Sequence, residues 1–487
     1  VPSGVSLAPG GGLTLTGALV VDGGTVKLDG NYPTGSNNVA LGDTALDSVE
    51  AGAERNVAIG DKAGTAITTG NNNTAIGTEA LKSNTTALNN TAIGYASLCT
   101  NSTGAGNTAL GKGSLSANTT ASNNTSVGFN SLTSNTTGPS NTAVGKDALL
   151  NNTVGDQNTA IGLSALCANT EGGNNVAVGL NALCKNTTAT QNVAVGVYSG
   201  RDTTTGAGNT SLGYSSLRVN SEGACNVAIG NSALDANTTA SENVAVGFES
   251  MLSNTTGSNN TAIGRCTLRA NTTAVRNTAV GAQALRDNTD GTLNTGIGVC
   301  ALMKNTTGAE NTALGKSALL CNTTGGSNVA IGQGTLVGLT TGTNNTVIGN
   351  NAGSDAVLNA TGSGSNNIAI GNNSSADANI KIDWTVTSDL RDKTNIEDVP
   401  YGLNFINQIT PIKYNFKTSR EDATPSGRKR FGFSAQEILA LEGDNPVLIN
   451  NNDVDNLKLT GAYLVPVLVN AIKELKARIE VLENEWS

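Results

Sequence analysis

The sequence predicts an all-β fibrous fold, a parallel β-solenoid or β-roll of 17-residue coils, followed by a small α+β domain that ends in a helix. Three observations predict it. A unit reading Asn-Thr/Val-Ala-Ile/Val/Leu-Gly-x-x-Ala-Leu-x-x-Asn-Thr-Thr-Gly-x-x recurs every 17 residues from Asn56 to Asn345, eighteen units in strict register, with near-units at Asn38 and Asn367. So short and strict a period is that of a stack in which each unit is one coil. Composition agrees: aromatic residues are 3% and charged residues 13% of the 487, against 60 glycines, which is too lean for an ordinary globular core. Finally, charge density rises abruptly at Ser388. Residues 388–487 hold 12 Lys/Arg and 15 Asp/Glu, and the preceding 387 residues hold only 16 and 22.

The expected order is therefore an N-terminal strand-rich adaptor segment (1–37), the repeat shaft (38–371), a linker (372–387) and a C-terminal domain (388–487) with a helix over 464–487. The adaptor holds short alternating runs such as Leu13-Thr14-Leu15 and Thr25-Val26-Lys27-Leu28 between glycines. It reads as the part that joins another protein. The chain opens Val1-Pro2 without methionine, as a processed chain or a fragment does, and no signal peptide is visible.

Within one coil, Asn-Thr-Ala-Ile-Gly is a short strand by alternation and β-branching. Thr74 and Ile76 share one face, and Ala75 faces something close on the other. Gly77 turns the chain, and Leu81 fills the coil interior. The Asn-Thr-Thr-Gly segment, as in Asn135-Thr136-Thr137-Gly138, reads as a turn and a second short strand. Pro139, the only proline from Asn38 to Gly371, falls in a loop position. At about 4.8 Å per coil the stack measures roughly 85 Å. One coil buries about one Leu, one Ile/Val and a Thr/Val, a thin core. Packing of several copies through the Ala face, as a homotrimer, is the expected remedy.

Several functions are excluded or disfavoured. No histidine is present, so His-based catalysis and His metal ligation are absent. No cofactor or metal site is expected. The seven cysteines lie between Cys99 and Cys321 without a CxxC pair and read as free thiols, with Cys167 and Cys184 stacked on adjacent coils. A net charge of −9 and the lack of a basic tract argue against nucleic acid, and no apolar stretch is long enough to span a bilayer. Sequons such as Asn84-Thr85-Thr86 and Asn118-Thr119-Thr120 read as structural ladders rather than glycan acceptors. Ice or sugar templating by the threonine ladders is a minor reading. Calcium-binding repeats are excluded by the absence of a recurrent Asp.

The Asn-x-Ala-Ile-Gly phrase resembles the repeat of trimeric autotransporter adhesin heads of the YadA type, with a longer period here. That resemblance implies a trimeric β-roll.

The C-terminal hundred residues carry Ser388-Asp389-Leu390-Arg391-Asp392-Lys393-Thr394-Asn395-Ile396, then Gly432-Phe433-Ser434-Ala435-Gln436-Glu437, then a terminal helix. In that helix Leu468, Leu475 and Leu482 alternate with Ile472, Ile479 and Trp486, a seam too short to hold a coiled coil alone. In this order the motifs resemble the intramolecular chaperone domain of endosialidases and other phage fibres, a self-cleaving serine peptidase family. The resemblance implies a chaperone motif of Asp389, Arg391, Asn395, Gly432, Phe433, Gln436 and Glu437, which drives trimer folding. It also implies a scissile bond at Thr387–Ser388, with Ser388 as nucleophile and Lys393 as base.

A Ser–Lys pair needs no histidine, but the lysine must be neutral to accept a proton, as burial at a subunit interface would make it. Arg391 or nearby N–H groups are candidates for oxyanion support. The resemblance further implies a virion tail fibre or similar appendage, assembled in the host cytoplasm, at most a single-turnover endopeptidase. Its partners would be two further copies, other virion proteins and a host-surface glycan or protein. A cellular trimeric adhesin is the alternative, disfavoured because the chain ends in a charged helix rather than membrane strands. A glycan-depolymerising spike is disfavoured because the repeat offers no recurrent carboxylate pair.

Overall fold

In a computed structural model of the chain, the described residues are 36–353, 362–372, 388–417, 422–444, 446–451 and 457–486. The adaptor's residues 1–35, the linker's 373–387 and Thr387 itself lie outside them. The chain divides into two compact units, Val1–Thr190 and Gln191–Ser487.

Both units are built from the predicted coil. The first carries nine three-residue strands, from β1 (Val39–Leu41) to β9 (Val176–Val178), and the second eleven, from β10 (Val193–Val195) to β20 (Ile368–Ile370). Within each unit successive strands pair in parallel at equal repeat positions, as in Thr74↔Thr91, Ala75↔Ala92 and Ile76↔Ile93. Each unit is thus a parallel β-solenoid of 17-residue coils.

Side-chain burial gives each repeat position its reason. The first Asn is buried and satisfied through the stack. Asn73 Oδ1 accepts the Asn90 N–H at 3.0 Å, and Asn73 Nδ2 donates to the Ala87 carbonyl at 2.9 Å. The twelfth-position Asn forms a second buried column, in which Asn101 Nδ2 donates to Asn84 Oδ1 (3.1 Å) and to the Gly104 carbonyl (2.9 Å). An amide supplies both a donor and an acceptor, and a buried polar atom left unpaired is costly, so Asn suits both columns. The sequon asparagines Asn84 and Asn118 belong to this buried column. Gly77 sits at φ 126°, and a Cβ there would lie 2.7 Å from the Gly94 carbonyl oxygen.

Three expectations are corrected. First, the third-position Ala points into the coil: Ala58, Ala92 and Ala109 are fully buried with Leu81, Leu98 and Leu115. The face left outside carries the second and fourth positions, Thr/Val and Ile/Val/Leu, so the Ala face is not available for packing between copies. Second, the per-coil core is Leu with alanines and the two asparagines, while the fourth-position aliphatic stays partly exposed, as at Leu110 and Ile161. Third, Asn-Thr-Thr-Gly forms no strand. Thr119 and Thr120 are bends, although the Thr119 N–H and Oγ1 both reach the Thr136 carbonyl at 3.1 Å. The interior Leu also holds an unexpected backbone, with φ 51° at Leu81 and 55° at Leu115. A left-handed non-glycine residue costs about 1–2 kcal/mol, an amount offset here by full burial of the side chain.

Beyond Ser388 the second unit holds α1 (Leu403–Ile406), a hairpin of β21 (Ile412–Lys417) and β22 (Pro425–Gly432), α2 (Ala435–Glu442), a short pair of β23 (Ile449–Asn450) and β24 (Lys458–Leu459), and α3 (Leu464–Glu485). Phe405, Ile409, Ile438, Leu448, Ile449, Leu464 and Val467 make its core. The expected terminal helix is present as α3, with Trp486 just past its end and Ser487 outside the described residues.

Candidate functional site

Ser388 and Lys393 are brought into contact by one turn of 3-10 helix, Leu390–Asp392. Asp389 is its N-cap. Its Oδ1 accepts the Arg391 N–H at 2.9 Å, which fixes the start of the turn. The turn closes with the Lys393 N–H on the Leu390 carbonyl at 3.2 Å. Reversing the chain in this way lays the Lys393 side chain back over Ser388, and Nζ donates to Ser388 Oγ at 2.8 Å. Both side chains are exposed in the single chain.

Arg391 is committed elsewhere. Its guanidinium pairs with both oxygens of Asp389, with Nη2 to Oδ2 at 2.5 Å. That pair, and then the Arg391 N–H, hold the Asp389 carboxyl below its ordinary range. Arg391 is therefore oriented by Asp389 rather than free to face an oxyanion. Asn395 ends the segment in the left-handed region at φ 50°, a conformation that Asn tolerates better than most residues.

The remaining motif residues form a separate strand-to-helix junction. Gly432 ends β22 against the Tyr414 ring, where a Cβ would come within 3.0 Å of Cε1. Phe433 packs on the domain core. Ser434 caps α2 by accepting the Glu437 N–H at 3.3 Å, half of the Ser-x-x-Glu capping signature. Gln436 lies exposed on α2.

Sequence reasoning missed three anchoring residues. Glu442, at the end of α2, accepts the N–H groups of Val447, Leu448 and Ile449 at 2.8, 2.7 and 3.0 Å. From α3, Asn470 Nδ2 donates to the Tyr401 carbonyl at 2.9 Å, and Glu474 accepts the Leu403 N–H at 2.8 Å. These contacts join positions about 70 residues apart, and no local pattern announces them. The α3 seam is open: Leu468, Ile472, Leu475, Ile479, Leu482 and Trp486 are all exposed, Ile472 by 65% and Trp486 by 89%. No helix among the described residues is long and apolar enough to cross a membrane, and no cluster of metal-ligating side chains occurs among them.

Residues 388–445 match the family model described as the chaperone of endosialidase. The match begins at Ser388, where the dyad begins. No curated protein and no solved structure matches the chain. A parallel β-solenoid joined to such a segment fits a protein of the tail-fibre or endosialidase type.

Proposed function

We propose that this chain is a subunit of a virion fibre. Residues 1–37 attach it to other virion proteins, 38–371 form the shaft that meets the host surface, and 372–387 link the shaft to an intramolecular chaperone at 388–487. The chaperone templates folding of a homotrimer, as its family implies. Two exposed apolar features suit that assembly. One is the outward face of the coils, where the fourth-position aliphatic is exposed in some of them, as at Leu110, Ile161 and Leu212, and the other is the α3 seam. Both are costly to leave in water and would be covered by further copies.

The chaperone then releases itself by one self-cleavage. The observation that carries this reading is the 2.8 Å contact of Lys393 Nζ with Ser388 Oγ at the start of the family match. In the reactive state the lysine is a neutral amine and accepts the serine proton. Oγ bonds to the Thr387 carbonyl carbon, the Thr387–Ser388 C–N bond breaks, and the freed Ser388 nitrogen takes the proton. Water then hydrolyses the resulting ester. Assembly of the trimer covers the exposed dyad and ties cleavage to assembly.

The test is the intact mass of freshly expressed wild type beside Ser388→Ala and Lys393→Ala. Pieces of 387 and 100 residues from wild type alone support the proposal. A wild-type chain that assembles yet stays whole refutes the dyad assignment.

A further inference from the structure

All five aromatic residues between Asn38 and Gly371 lie on one edge of the coil, at the first or second position after the turn glycine. They are Tyr95 and Phe129 in the first unit and Tyr198, Tyr214 and Phe248 in the second. From Thr78 to Asn350 the position directly after that glycine holds no Asp or Glu, in a chain whose net charge is −9. In the first unit aromatic and cationic residues alternate there as Tyr95, Lys112, Phe129 and Lys146.

The rings are presented to solvent, Tyr95 by 54% and Phe129 by 44%. Lys112 Nζ lies between them, 5.8 Å from each ring centroid, and has no carboxylate partner among the described residues. Lys146 is partly neutralised by Asp147 at 3.3 Å.

The geometry points to a glycan-binding edge centred on Tyr95, Lys112 and Phe129, which takes an acidic polysaccharide with widely spaced carboxylates. Sugar rings carry apolar C–H faces that suit flat, exposed aromatic rings with little conformational freedom. The lysine supplies one cation for a carboxylate. Neighbouring coils stand about 4.8 Å apart, so like groups recur about every 10 Å. That is the scale of one charge per two sugars. A nucleic-acid duplex places a phosphate about every 3.4 Å of its axis on each strand, a far denser row of charge than one lysine per repeat matches, and it would meet an acidic chain. The assignment names the ligand class for the attachment role proposed above and rests on that role.

The test titrates the full-length protein with hyaluronan oligosaccharides, which carry a carboxylate on every second sugar, beside neutral dextran and a thymidine oligonucleotide. Wild type should bind hyaluronan in preference to both, with an affinity that falls as salt rises. Tyr95→Ala and Phe129→Ala should each weaken binding about tenfold. Lys112→Gln should abolish the preference over dextran together with the salt dependence.

No hyaluronan binding by wild type, equal binding of dextran, or tighter binding of the oligonucleotide would overturn the proposal. So would a changed oligomeric mass in the unliganded Tyr95→Ala or Phe129→Ala protein, which would make the edge a contact between copies. If hyaluronan fails to bind while Thr387–Ser388 is still cut, the ligand assignment falls and the fibre reading stands.

Discussion

Glu474 Oε2, midway along α3, accepts the backbone N–H of Leu403 at 2.8 Å and so holds the first residue of α1. Gly402, the residue before, is packed so closely that a Cβ would collide with the same carboxylate. With Asn470 on the Tyr401 carbonyl, this is how α3 carries the 399–403 segment. Glu474→Ala removes a charged acceptor from a helix start, a change of about 1 kcal/mol at so exposed a site. Thermal unfolding followed by circular dichroism should show a lower transition for the C-terminal domain. Glu474→Gln, which keeps an oxygen, should lose less. Equal transitions for all three proteins would show that the contact contributes nothing.

Asp389 should govern the cleavage rate without touching the scissile bond, because it shapes the turn that sets Lys393 on Ser388. Asp389→Ala should slow cleavage at neutral pH, and Asp389→Asn, which retains a capping oxygen, should restore most of it. In the Lys393→Ala background the Asp389 substitution should add nothing, since its effect passes through the lysine. Additive losses would count against this role.

The Asp389 carboxyl also gives a pH dependence of known sign. Its pKa is lowered by Arg391, so the pair's contribution is fully present above the ordinary value of 3.8 and fades as pH falls through the lowered one. A carboxyl carbon titration by NMR should place its midpoint below that of Arg391→Ala. Coincident midpoints would show that the ion pair does not form in solution.

Ser126 stands where most coils have Ala, and its hydroxyl meets Ser131 Oγ at 2.6 Å and Ser114 Oγ at 2.8 Å, all buried. Ser131→Ala alone strips a partner from a buried hydroxyl and should cost about 1–2 kcal/mol. Replacing Ser114, Ser126 and Ser131 together by Ala restores the commonest coil interior and should be close to neutral. Chemical denaturation of the single and triple variants decides it: a triple variant weaker than the single one would sink the argument.

Cys167 and Cys184 stack as the sequence suggests, Sγ to Sγ at 2.8 Å, without a disulfide between them. The contact with Cys184, and then burial, push the Cys167 thiol well above its ordinary range. Because the thiolate is the nucleophile, iodoacetamide near pH 8 should modify exposed Cys225 long before Cys167. Mass mapping of the alkylated protein reads the order directly, and faster labelling of Cys167 would contradict the placement.

Much of this was legible in advance for physical reasons. Identical residues 17 apart can only stack if each unit makes one circuit, so the period of Asn73, Asn90 and Asn107 fixed the parallel register. The five-residue spacing of Ser388 and Lys393 was visible, but their contact depends on the 3-10 turn that Asp389 caps. Alternation in Thr74-Ala75-Ile76 stated which residues share a face, not which face is inside. Ala proved to be inside because the coil is narrow: once Leu81 and two asparagine columns fill it, only a methyl group fits beside them.

From its sequence alone this protein is a stack of 17-residue coils with a charged C-terminal domain that opens on a Ser–Lys motif. Repetition and residue chemistry act locally or between equivalent positions, and both can be read along the chain. Only the tertiary structure decided the direction of the Ala face, the left-handed turn at Leu81 and the tie from Glu474 to Leu403. Each of these depends on atoms distant in sequence competing for one small volume, and that competition is settled by packing rather than by pattern.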